Sequence, residues 1–583
     1  MESIEEAVIA TKTMAGTGLS RRSFLGTAAL AGVAALGVGT LAGCGQGTPA
    51  PAPPAGTEGS ASSQSAQSQS TADNISPVAV PPTWDEEYDV IVVGTGGGLF
   101  GALRSAELGS KTLCIEKSAS VGGASKESSI YAVSGTKVQL EAGLPDVTDM
   151  MIKSFISRQH QGAARTDLIT KVATNAARAV DWLGVKGFEW EPTTTGGPTG
   201  GVTGVSPKGK EAGGLAARTN IYVFEFLKEE FGKAGGTLKL NTLLSALVKD
   251  GDRVVGIEVS DENNETKYFK AGKAVILAAG GMSANRDMLK KYIPSAYNRV
   301  KCSTTGTQDS GEAIRMGLGA GAAFTGYDAY QAFCGGLEGA DWNYYLYNGD
   351  VQLARQAWLG IDITGKRFPY FTAVADYGKQ ARVLQCLPGA TGYRFFDSHY
   401  EEYAAEQKQE CCRYLINPSM PDVDRIPESL IEHDWREGAK RGIKEGRIKS
   451  ADTLDELAEL LGLDPGIVKK AVDDWNVLVA AGADEECGIP SQWLHPIKDA
   501  PFYGVAIGSI MFSTHAGLLT DVNFRVVSEK GTVIPGLYAS GSTMGGCCGP
   551  DSDYGCSSNV SGGVCFTSTT AFLAAEHING YKG

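Results

Sequence analysis

One stretch near residue 90 restricts the possible folds more than any other part of the sequence. Tyr88 to Ala102 reads YDVIVVGTGGGLFGA, in which a β-branched apolar run, Val90–Val93, is followed by a cluster of glycines, Gly94–Gly98. Such a run is typical of a strand buried on both faces. The pattern from Ala102 to Leu108 predicts a helix. A strand, a glycine turn and a helix N-terminus form a phosphate site, because free backbone N–H groups and the helix dipole meet the negative charge.

The residues that follow extend this phosphate site into a predicted dinucleotide site. A second strand, Lys111–Glu116, ends in an acid about twenty residues after Gly96, the usual spacing for a ligand of a ribose hydroxyl. The third glycine of a G-x-G-x-x-G fingerprint would fall on Leu99, with Gly98 just before it. A glycine fingerprint alone also fits an ordinary strand-to-helix turn. Both strands and the acid are present here, so the pattern favours a dinucleotide.

A second glycine turn follows the acid, in Lys117–Ser125, KSASVGGAS. It resembles the Glu-Lys…Gly-Gly segment that wraps the flavin in one large family of flavoproteins, and therefore points to FAD rather than NAD. Ile276–Gly281, ILAAGG, predicts a buried strand that runs into a turn of small residues. The backbone of that turn is a second place where the chain can approach an isoalloxazine ring.

The first 83 residues predict an export signal and a tether. Ser20–Leu25, SRRSFL, is a twin-arginine pattern before an apolar run that ends near Leu41. Leu41–Cys44, LAGC, resembles a bacterial lipobox, which would make Cys44 the lipid-anchored N-terminus outside the cytoplasmic membrane; the alternative is an uncleaved membrane anchor. Residues 45–83 are rich in Pro, Ser, Gln and Ala and predict a disordered tether.

Composition sets the remaining limits. The chain has 583 residues, 42% of them hydrophobic, enough for two cored domains. Its net charge of −14 argues against a nucleic-acid partner. Helices are predicted at Thr166–Leu183, Tyr222–Lys233 and Thr453–Ala480, and strands at Thr237–Leu240, Leu247–Val259, Ala274–Leu277 and Tyr503–Ile507, with a hairpin over Leu244–Val259.

Several segments in order resemble the fumarate reductase / 3-ketosteroid dehydrogenase family of FAD enzymes. They include Ala278–Gly281, Asp309–Gly311, Gly360–Phe368, Ala500–Tyr503 and Gly536–Gly541. The resemblance implies an α/β fold: a Rossmann-like FAD-binding domain, 84–330 and 513–583, with an inserted α+β capping domain, 331–512. It also implies hydride transfer between the flavin and a carbon next to an activating carbonyl, with a side chain moving the second proton. The implied residues that bind non-covalent FAD are Gly94, Gly96, Gly97, Gly98, Glu116, Lys117, Gly122, Gly123, Ala124, Ser125, Ala279, Gly280, Asp309, Gly541, Ser542 and Val560.

The chain departs from the family where a fumarate reductase binds its two carboxylates. The expected arginine of the cap aligns with Leu359, and the two expected histidines align with Phe333 and Ser513. The last expected arginine is missing too, since residues 527–583 contain none. A buried carboxylate without a cationic partner costs several kcal/mol. The sequence therefore predicts an enzyme that is not a dicarboxylate reductase.

The replacements predict an apolar cleft for an apolar substrate, such as a ketosteroid or an unsaturated lactone. They are Phe333, Leu359, Trp358, Tyr330 and Tyr554. Ketosteroid enzymes of the family use tyrosine, sometimes with serine, to polarise a ketone. The implied catalytic candidates are Tyr554, Ser561, His515 and Tyr330, and for each one a packed or surface side chain is the alternative.

Twelve cysteines are many for an exported protein, and none forms a C-x-x-C pair. Cys547, Cys548, Cys556 and Cys565 lie close in sequence and are candidate ligands of an iron–sulfur cluster, as proposed for cardiac-glycoside-reducing flavoproteins of gut actinobacteria, which this chain resembles in layout. The alternative is a set of buried free thiols.

The electron donor and two other functions stay open. No second Rossmann fingerprint marks an NAD site, so electrons are expected from a membrane-bound cytochrome or quinone, as in anaerobic respiration. The chain is alternatively a respiratory reductase of an unsaturated acid (fumarate-, urocanate- or cinnamate-like) that uses Arg355, Arg367 or Arg382. From another class, it is a flavin-containing binding lipoprotein without turnover.

Overall fold

The computed structural model describes residues 74–581, except 129, 159–164, 196–201, 210–219, 305–308, 347, 371–376, 408–434 and 549–562. The strands are β1 Val78–Ala79, β2 Glu86–Val93, β3 Thr112–Ile115, β4 Tyr131–Ala132, β5 Trp190–Thr195, β6 Val202–Pro207, β7 Thr237–Lys239, β8 Leu243–Asp250, β9 Arg253–Ser260, β10 Thr266–Leu277, β11 Val300–Ser303, β12 Phe324–Thr325, β13 Tyr330–Leu337, β14 Leu359–Ile361, β15 Gly392–Phe396, β16 Ile448–Ala451, β17 Phe502–Thr514, β18 Gly517–Leu518, β19 Arg525–Val527 and β20 Val533–Ala539.

The helices are α1 Gly98–Glu107, α2 Lys137–Glu141, α3 Thr148–Arg158, α4 Thr166–Val185, α5 Ile221–Lys233, α6 Arg286–Tyr292, α7 Pro294–Arg299, α8 Glu312–Gly319, α9 Gly349–Ala354, α10 Tyr377–Cys386, α11 Tyr400–Gln407, α12 Trp435–Lys444, α13 Leu454–Leu460, α14 Pro465–Ala481 and α15 Val564–Ile578. Within the described ranges, none of them combines the length and the apolar character that crossing a lipid bilayer requires.

The strand before the first glycine turn lies inside a nine-stranded sheet. Its main order is β1-β8-β9-β10-β2-β3-β7, and β20 pairs with both β10 and β19. Strand β2 runs parallel to β3 and β10, and Val90, Ile91 and Val92 are fully buried. The sequence prediction of a strand buried on both faces is confirmed.

Two other local predictions need correction. The predicted helix Thr453–Ala480 is two helices, α13 and α14, because Gly462 takes a left-handed conformation and Asp464 caps a new helix that begins at Pro465. Helix α1 begins at Gly98, within the glycine cluster, rather than at Ala102. The β8–β9 hairpin, with its turn at Gly251, is confirmed.

A second sheet of six strands is organised around β17. This strand pairs with β11, β13, β15 and β16. It extends to Thr514, seven residues beyond the predicted end at Ile507. Its last residues therefore reach from the second sheet toward the turn after β10, which Thr514 contacts.

The described buried apolar residues form one large core, two smaller cores, and a cluster of Phe155, Ile169 and Cys548. The large core takes residues between Tyr88 and Ala332 and between Met511 and Ala574, plus Ala381. The two smaller cores lie on the second sheet, one around Phe333 and Trp358 and the other around Leu359 and Trp475. The predicted division into an FAD-binding and a capping domain stays a prediction.

The predicted tether ends earlier than residue 83. Strand β1 pairs in parallel with β8, and the Ile75 N–H donates to the Arg315 carbonyl of α8 at 3.1 Å. The prediction of disorder is wrong for this last part, because backbone pairing and the packing of Ile75 on the large core order the segment. Residues 1–73, with Cys44 and the twin-arginine pattern, lie outside the described residues.

The C-terminal helix α15 packs closely on α1 through glycine. A Cβ atom added at Gly97 would lie 2.4 Å from the Thr567 carbonyl oxygen, and one added at Gly101 would lie 2.8 Å from that of Ala571. At the other end of the contact, Glu576 pairs with Arg104 and Arg178, both at 2.7 Å. The first glycine turn is thus held against α15.

The close contact at Gly101 makes a testable prediction. Gly101→Ala should lower the free energy of unfolding by about 1–3 kcal/mol, because α15 has to shift to admit the methyl group. Gly232 of α5 is the matched control, since a Cβ atom added there has open space around it. Gly232→Ala should be neutral or stabilising by up to about 1 kcal/mol. Denaturant unfolding of both variants checks this, and equal stabilities would contradict the packing described.

Candidate functional site

The first glycine turn leaves no room for side chains. Gly94 has a φ of +98°, and a Cβ atom there would lie 2.4 Å from the Ala278 carbonyl oxygen. A Cβ atom at Gly98 would lie 3.0 Å from Val92 Cγ1 and 3.1 Å from Ala278 Cβ. Gly98 therefore provides the close helix–strand contact of a third fingerprint glycine. This explains how Leu99, fully buried, is tolerated at the fingerprint position.

The Glu116 carboxylate joins the first glycine turn to the second. Its Oε2 accepts hydrogen bonds from Thr95 N at 3.0 Å and Thr95 Oγ1 at 2.5 Å, and its Oε1 accepts from Ser118 N at 3.0 Å. Thr95 Oγ1 in turn accepts from Gly122 N at 3.1 Å. The acid expected at a ribose hydroxyl thus lies beside the glycine turn, with only 6% of its surface exposed.

The second glycine turn lies against the first. Gly122 and Gly123 have φ values of +99° and +47°, and Ala124 and Ser125 continue in a short 3-10 helix, Gly123–Glu127. A Cβ atom at Gly96 would lie 3.2 Å from Ser125 Oγ. The predicted residues of both turns are therefore brought together.

Lys117 leads from these turns to Asp309. Its Nζ donates to Ser310 Oγ at 2.7 Å and lies 3.5 Å from Glu312 Oε1. Asp309 accepts from Ser283 Oγ at 3.1 Å. The predicted residues Lys117 and Asp309 therefore lie at neighbouring parts of one site.

A third backbone turn, which follows β10, is the remaining part of the candidate cofactor site. A Cβ atom at Gly280 would lie 2.4 Å from Asp309 Oδ1, and one at Gly281 would lie 2.2 Å from Thr514 Oγ1. Thr514 Oγ1 accepts from Met282 N at 3.1 Å, and Thr543 Oγ1 donates to the Gly280 carbonyl at 2.9 Å. The short 3-10 helix Gly541–Thr543, which includes Ser542, thus joins the turn at Ala279 and Gly280.

These three turns fit a dinucleotide. In each turn a Cβ atom would collide with neighbouring protein atoms, so glycine is required for the turns to pack this closely, and backbone without side chains is what a pyrophosphate or a flat ring needs for close approach. Gly94–Gly98 and the N-terminus of α1 suit the pyrophosphate, and Glu116 suits a ribose. Val560, also predicted to bind FAD, lies outside the described residues.

At the end of β17, His515 begins a chain of neutral polar side chains. His515 Nε2 lies 3.2 Å from Ser513 Oγ, which donates to Gln331 Oε1 at 3.1 Å. Burial lowers the pKa of His515 to about 4. The imidazole is therefore neutral near pH 7, and this network assigns its proton to Nε2. Gln331 Nε2 is buried and has no hydrogen-bond partner among the described residues.

Tyr330, a predicted catalytic residue, points away from this chain. Its hydroxyl donates to Gln385 Oε1 at 3.1 Å and lies 3.4 Å from Arg382 Nη1. Neighbouring strand residues face opposite sides of a sheet, so Tyr330 shares a face with Thr514 and Gln331 shares the other with Ser513. The structure therefore separates the Tyr330 hydroxyl from His515.

Leu359 and Trp358, two of the residues predicted to line the apolar cleft, both lie in buried cores of the second sheet. Leu359 is fully buried and pairs with Phe395, which pairs with Gly504. Gly504 lies nine residues before Ser513 on β17, about 30 Å at the usual rise of a strand. Leu359 therefore lies far from His515 along the sheet, and its place in the substrate cleft stays a prediction.

The other predicted cleft residues have different positions. Trp358 packs on Phe396 with ring centroids 5.0 Å apart, within a core of the second sheet. Phe333 packs edge-on against Phe512 at 4.8 Å, two residues along β13 from Gln331. Apart from Tyr330, Phe333 is therefore the predicted apolar replacement closest in sequence to the polar chain among the described residues.

The three arginines proposed for carboxylate binding lie in different places and have different partners. Arg367 pairs with Asp484 through two contacts, at 3.0 and 2.6 Å, so the charge of this arginine is already paired with a carboxylate of the protein. Arg382 lies beside Tyr330, as described above. A Cβ atom added at Gly335 of β13 would lie 3.1 Å from Arg355 Cδ. Two of the three arginines thus lie against β13.

The cysteines that the structure describes near the C-terminus are buried thiols. Cys547, Cys548 and Cys565 are at most 4% exposed, and burial raises the pKa of Cys565 to about 12. Among the described residues no group of three or more His, Cys, Asp or Glu side chains is placed to hold a metal ion. Cys556 is not described, so the iron–sulfur cluster stays a prediction.

Tyr554 and Ser561 are the two catalytic candidates outside the described residues. Sequence reasoning missed Thr95, which lies within the glycine run and links Glu116 to Gly122. It also missed Gln331. The signal for Gln331 was present, because a glutamine stands in an otherwise apolar strand, YQAFCGGL.

Comparisons with known proteins agree with this geometry. A family model described as FAD binding domain matches residues 89–557. An NADH:fumarate oxidoreductase of Klebsiella pneumoniae is 26% identical over 464 residues, 79% of this chain and 45% of that protein. The chain thus spans about half the length of that relative. A digoxin reductase of Eggerthella lenta is 25% identical over 559 residues, 91% of this chain and 92% of that protein.

The fold also matches a solved structure. The structure of 3-ketosteroid delta1-dehydrogenase from Sterolibacterium denitrificans in complex with 1,4-androstadiene-3,17-dione has a TM-score of 0.63 and 20% identity, covering 85% of this chain and all of that one. At this identity the likeness shows the fold alone. Together with the family match, the three backbone turns identify FAD as the cofactor of this chain.

The buried neutral His515 makes a prediction about pH. Its folded pKa of about 4 lies below the ordinary value of 6.5, so the unfolded chain takes up a proton first as the pH falls. The His515 contribution should therefore lower the free energy of unfolding progressively between pH 6.5 and 4, by about 3 kcal/mol in total. Denaturant unfolding of the wild type and His515→Gln at several pH values tests this. The stability difference between them should change over this interval, and parallel pH profiles would contradict it.

Proposed function

The chain belongs to the FAD-binding domain family, and on that premise we propose that this FAD-dependent oxidoreductase reduces, or forms, a C=C bond conjugated to a carbonyl group. The proposed substrate is bulky and neutral, such as a ketosteroid or an unsaturated lactone. Bound FAD supplies the hydride chemistry. The protein has to hold the carbonyl group, exclude charged competitors and move one proton.

The observation that carries the proposal is the neutral chain His515–Ser513–Gln331. It offers hydrogen bonds but no positive charge, because the buried imidazole is neutral near pH 7. A carboxylate placed against this chain would lose its hydration without gaining a counter-charge. A ketone or lactone carbonyl needs only a donor, and Gln331 Nε2 is a buried donor without a partner among the described residues.

The proton has to come from a group other than a protonated His515. A pKa of about 4 leaves very little imidazolium near neutral pH. We assign His515 a positioning role, in which its Nε2–H orients the Ser513 hydroxyl and through it the Gln331 amide. Tyr554 and Ser561 remain the proposed proton donors and carbonyl-polarising groups.

Similarity to the digoxin reductase supports the choice of a bulky neutral acceptor. The match covers nearly all of both proteins, and digoxin is a large uncharged molecule. The ketosteroid dehydrogenase structure contributes only its fold to the argument, since the identity is 20%.

A second candidate is the reduction of an unsaturated acid, such as a fumarate-, urocanate- or cinnamate-like compound. Arg382 and Arg355 favour it, because both lie against β13, the strand that carries Gln331. The similarity to an NADH:fumarate oxidoreductase favours it too. Arg382 approaches β13 on the face of Tyr330 and Thr514, whereas the neutral chain lies on the face of Gln331 and Ser513, so the two candidates place the acceptor against different sets of side chains.

We also propose that the protein is exported by the twin-arginine route, anchored by a lipid at Cys44, and supplied with electrons by a membrane-bound cytochrome or quinone. This part rests on the sequence of the first 44 residues, which lie outside the described range.

Reoxidation of the reduced flavin tests the function directly. Anaerobic full-length holoenzyme, reduced with dithionite, is mixed with a Δ4-3-ketosteroid, a cardenolide lactone, fumarate or urocanate, and the flavin absorbance is followed. We expect a neutral acceptor to reoxidise the flavin at least about 100-fold faster than either acid, a difference of about 2.7 kcal/mol in transition-state stabilisation.

Arg382→Gln separates the two candidates in the same assay. If the substrate is neutral, this variant should keep the rate with the neutral acceptor within about threefold. Fast reoxidation by fumarate or urocanate that Arg382→Gln abolishes would instead establish the acid reductase and contradict the proposal.

A further inference from the structure

Asn220 lies directly before helix α5 but does not cap it. An asparagine at this position usually accepts a hydrogen bond from a backbone N–H of the first helical turn. Here its backbone is helical, with φ −68° and ψ −10°, and its side chain makes no capping hydrogen bond. The amide is therefore turned away from the role that its position normally gives it.

Both polar atoms of this amide are buried without a partner. Asn220 is fully buried, and neither Oδ1 nor Nδ2 has a hydrogen-bond partner in the described part of the chain. A buried amide usually has its hydrogen bonds satisfied, because leaving a donor or an acceptor unpaired costs free energy. Since the described residues leave both ends of the amide open, a bound group is a natural partner.

The position of Asn220 indicates which group that is. Its N–H donates to the Ser128 carbonyl at 3.1 Å, just after the second glycine turn. Its carbonyl accepts from Phe224 N at 3.3 Å, and a Cβ atom added at Gly122 would lie 3.1 Å from the Phe224 ring. The first turn of α5 thus lies directly against the glycine turn that contacts Thr95.

We propose that Asn220 is a hydrogen-bond ligand of FAD, acting on the flavin half of the cofactor. A side-chain amide offers one acceptor and one donor group side by side. Its partner should therefore present both, as the ribityl hydroxyls or the N3–H and adjacent carbonyl of the flavin do. The assignment rests on the cofactor and does not depend on the substrate proposed above.

The test is FAD affinity in Asn220→Leu. Full-length protein is stripped of flavin and titrated with FAD, with flavin fluorescence as the readout, and with ADP in competition. We expect the FAD dissociation constant to rise by about tenfold or more, because the variant loses about one to two hydrogen bonds to the cofactor. The ADP dissociation constant should stay within about twofold. An equal loss for ADP would overturn the assignment to the flavin half.

Thermal stability supplies a second signature that a merely structural role would not give. Leucine removes two unsatisfied polar atoms, so the FAD-free variant should melt at the same temperature as the FAD-free wild type or higher. With saturating FAD the order should reverse, because the variant gains less from the cofactor. A lower melting temperature of the FAD-free variant, with unchanged FAD affinity, would overturn the proposal.

Asn476 provides the matched control. Its Nδ2 donates to the Ile497 carbonyl and its Oδ1 accepts from Ile497 N, both at 2.9 Å, so this amide is satisfied within the chain. Asn476→Leu should lower the melting temperature with and without FAD and leave FAD affinity within about twofold. If Asn220→Leu is insoluble, Asn220→Asp tests the same claim, since it keeps the size and removes the donor. FAD affinity retained within about twofold in Asn220→Asp would overturn the assignment.

Discussion

The Glu116 carboxylate holds the cofactor site together. It accepts three hydrogen bonds from Thr95 and Ser118, and Thr95 accepts one from Gly122. Hydrogen bonds to a charged group are stronger than those between neutral groups, so this one carboxylate fixes the spacing of two glycine turns. The turn at Gly280 and the C-terminal helix then close on the same place, where a side chain larger than hydrogen would collide.

Strand β17 links that arrangement to the second sheet. Its first half lies in the second sheet, beside β15 and β16, and its last residue, Thr514, accepts a hydrogen bond from the turn after β10. Ser513 and His515 therefore have positions set by the second sheet and by the cofactor site at once. Cross-strand pairing brings Gln331 opposite Ser513. The neutral polar chain thus lies next in sequence to Thr514, the residue of β17 that contacts the turn after β10.

The sequence predicted the parts that depend on local rules. The strand at Val90, the glycine turn and the acid at Glu116 follow from short-range chemistry, and they are where the pattern placed them. Features that depend on sheet register could not be placed from the sequence. Leu359, which takes the position of the expected arginine of the cap, lies in a buried core of the second sheet, and Tyr330, a catalytic candidate, hydrogen-bonds Gln385; their roles stay predictions. The break at Gly462 escaped because the apolar period continues across it.

The uncharged side chains of His515, Ser513 and Gln331 should distinguish electron acceptors mainly by their charge. The most direct measurement compares cinnamate with methyl cinnamate, which lacks the negative charge and is larger by one methyl group, by titrating the oxidised holoenzyme near pH 7 and following the flavin absorbance. The neutral chain predicts that the dissociation constant of the ester is at least about tenfold lower than that of the acid, because the carboxylate loses hydration without gaining a counter-charge. Tighter binding of the acid would contradict an uncharged acceptor site.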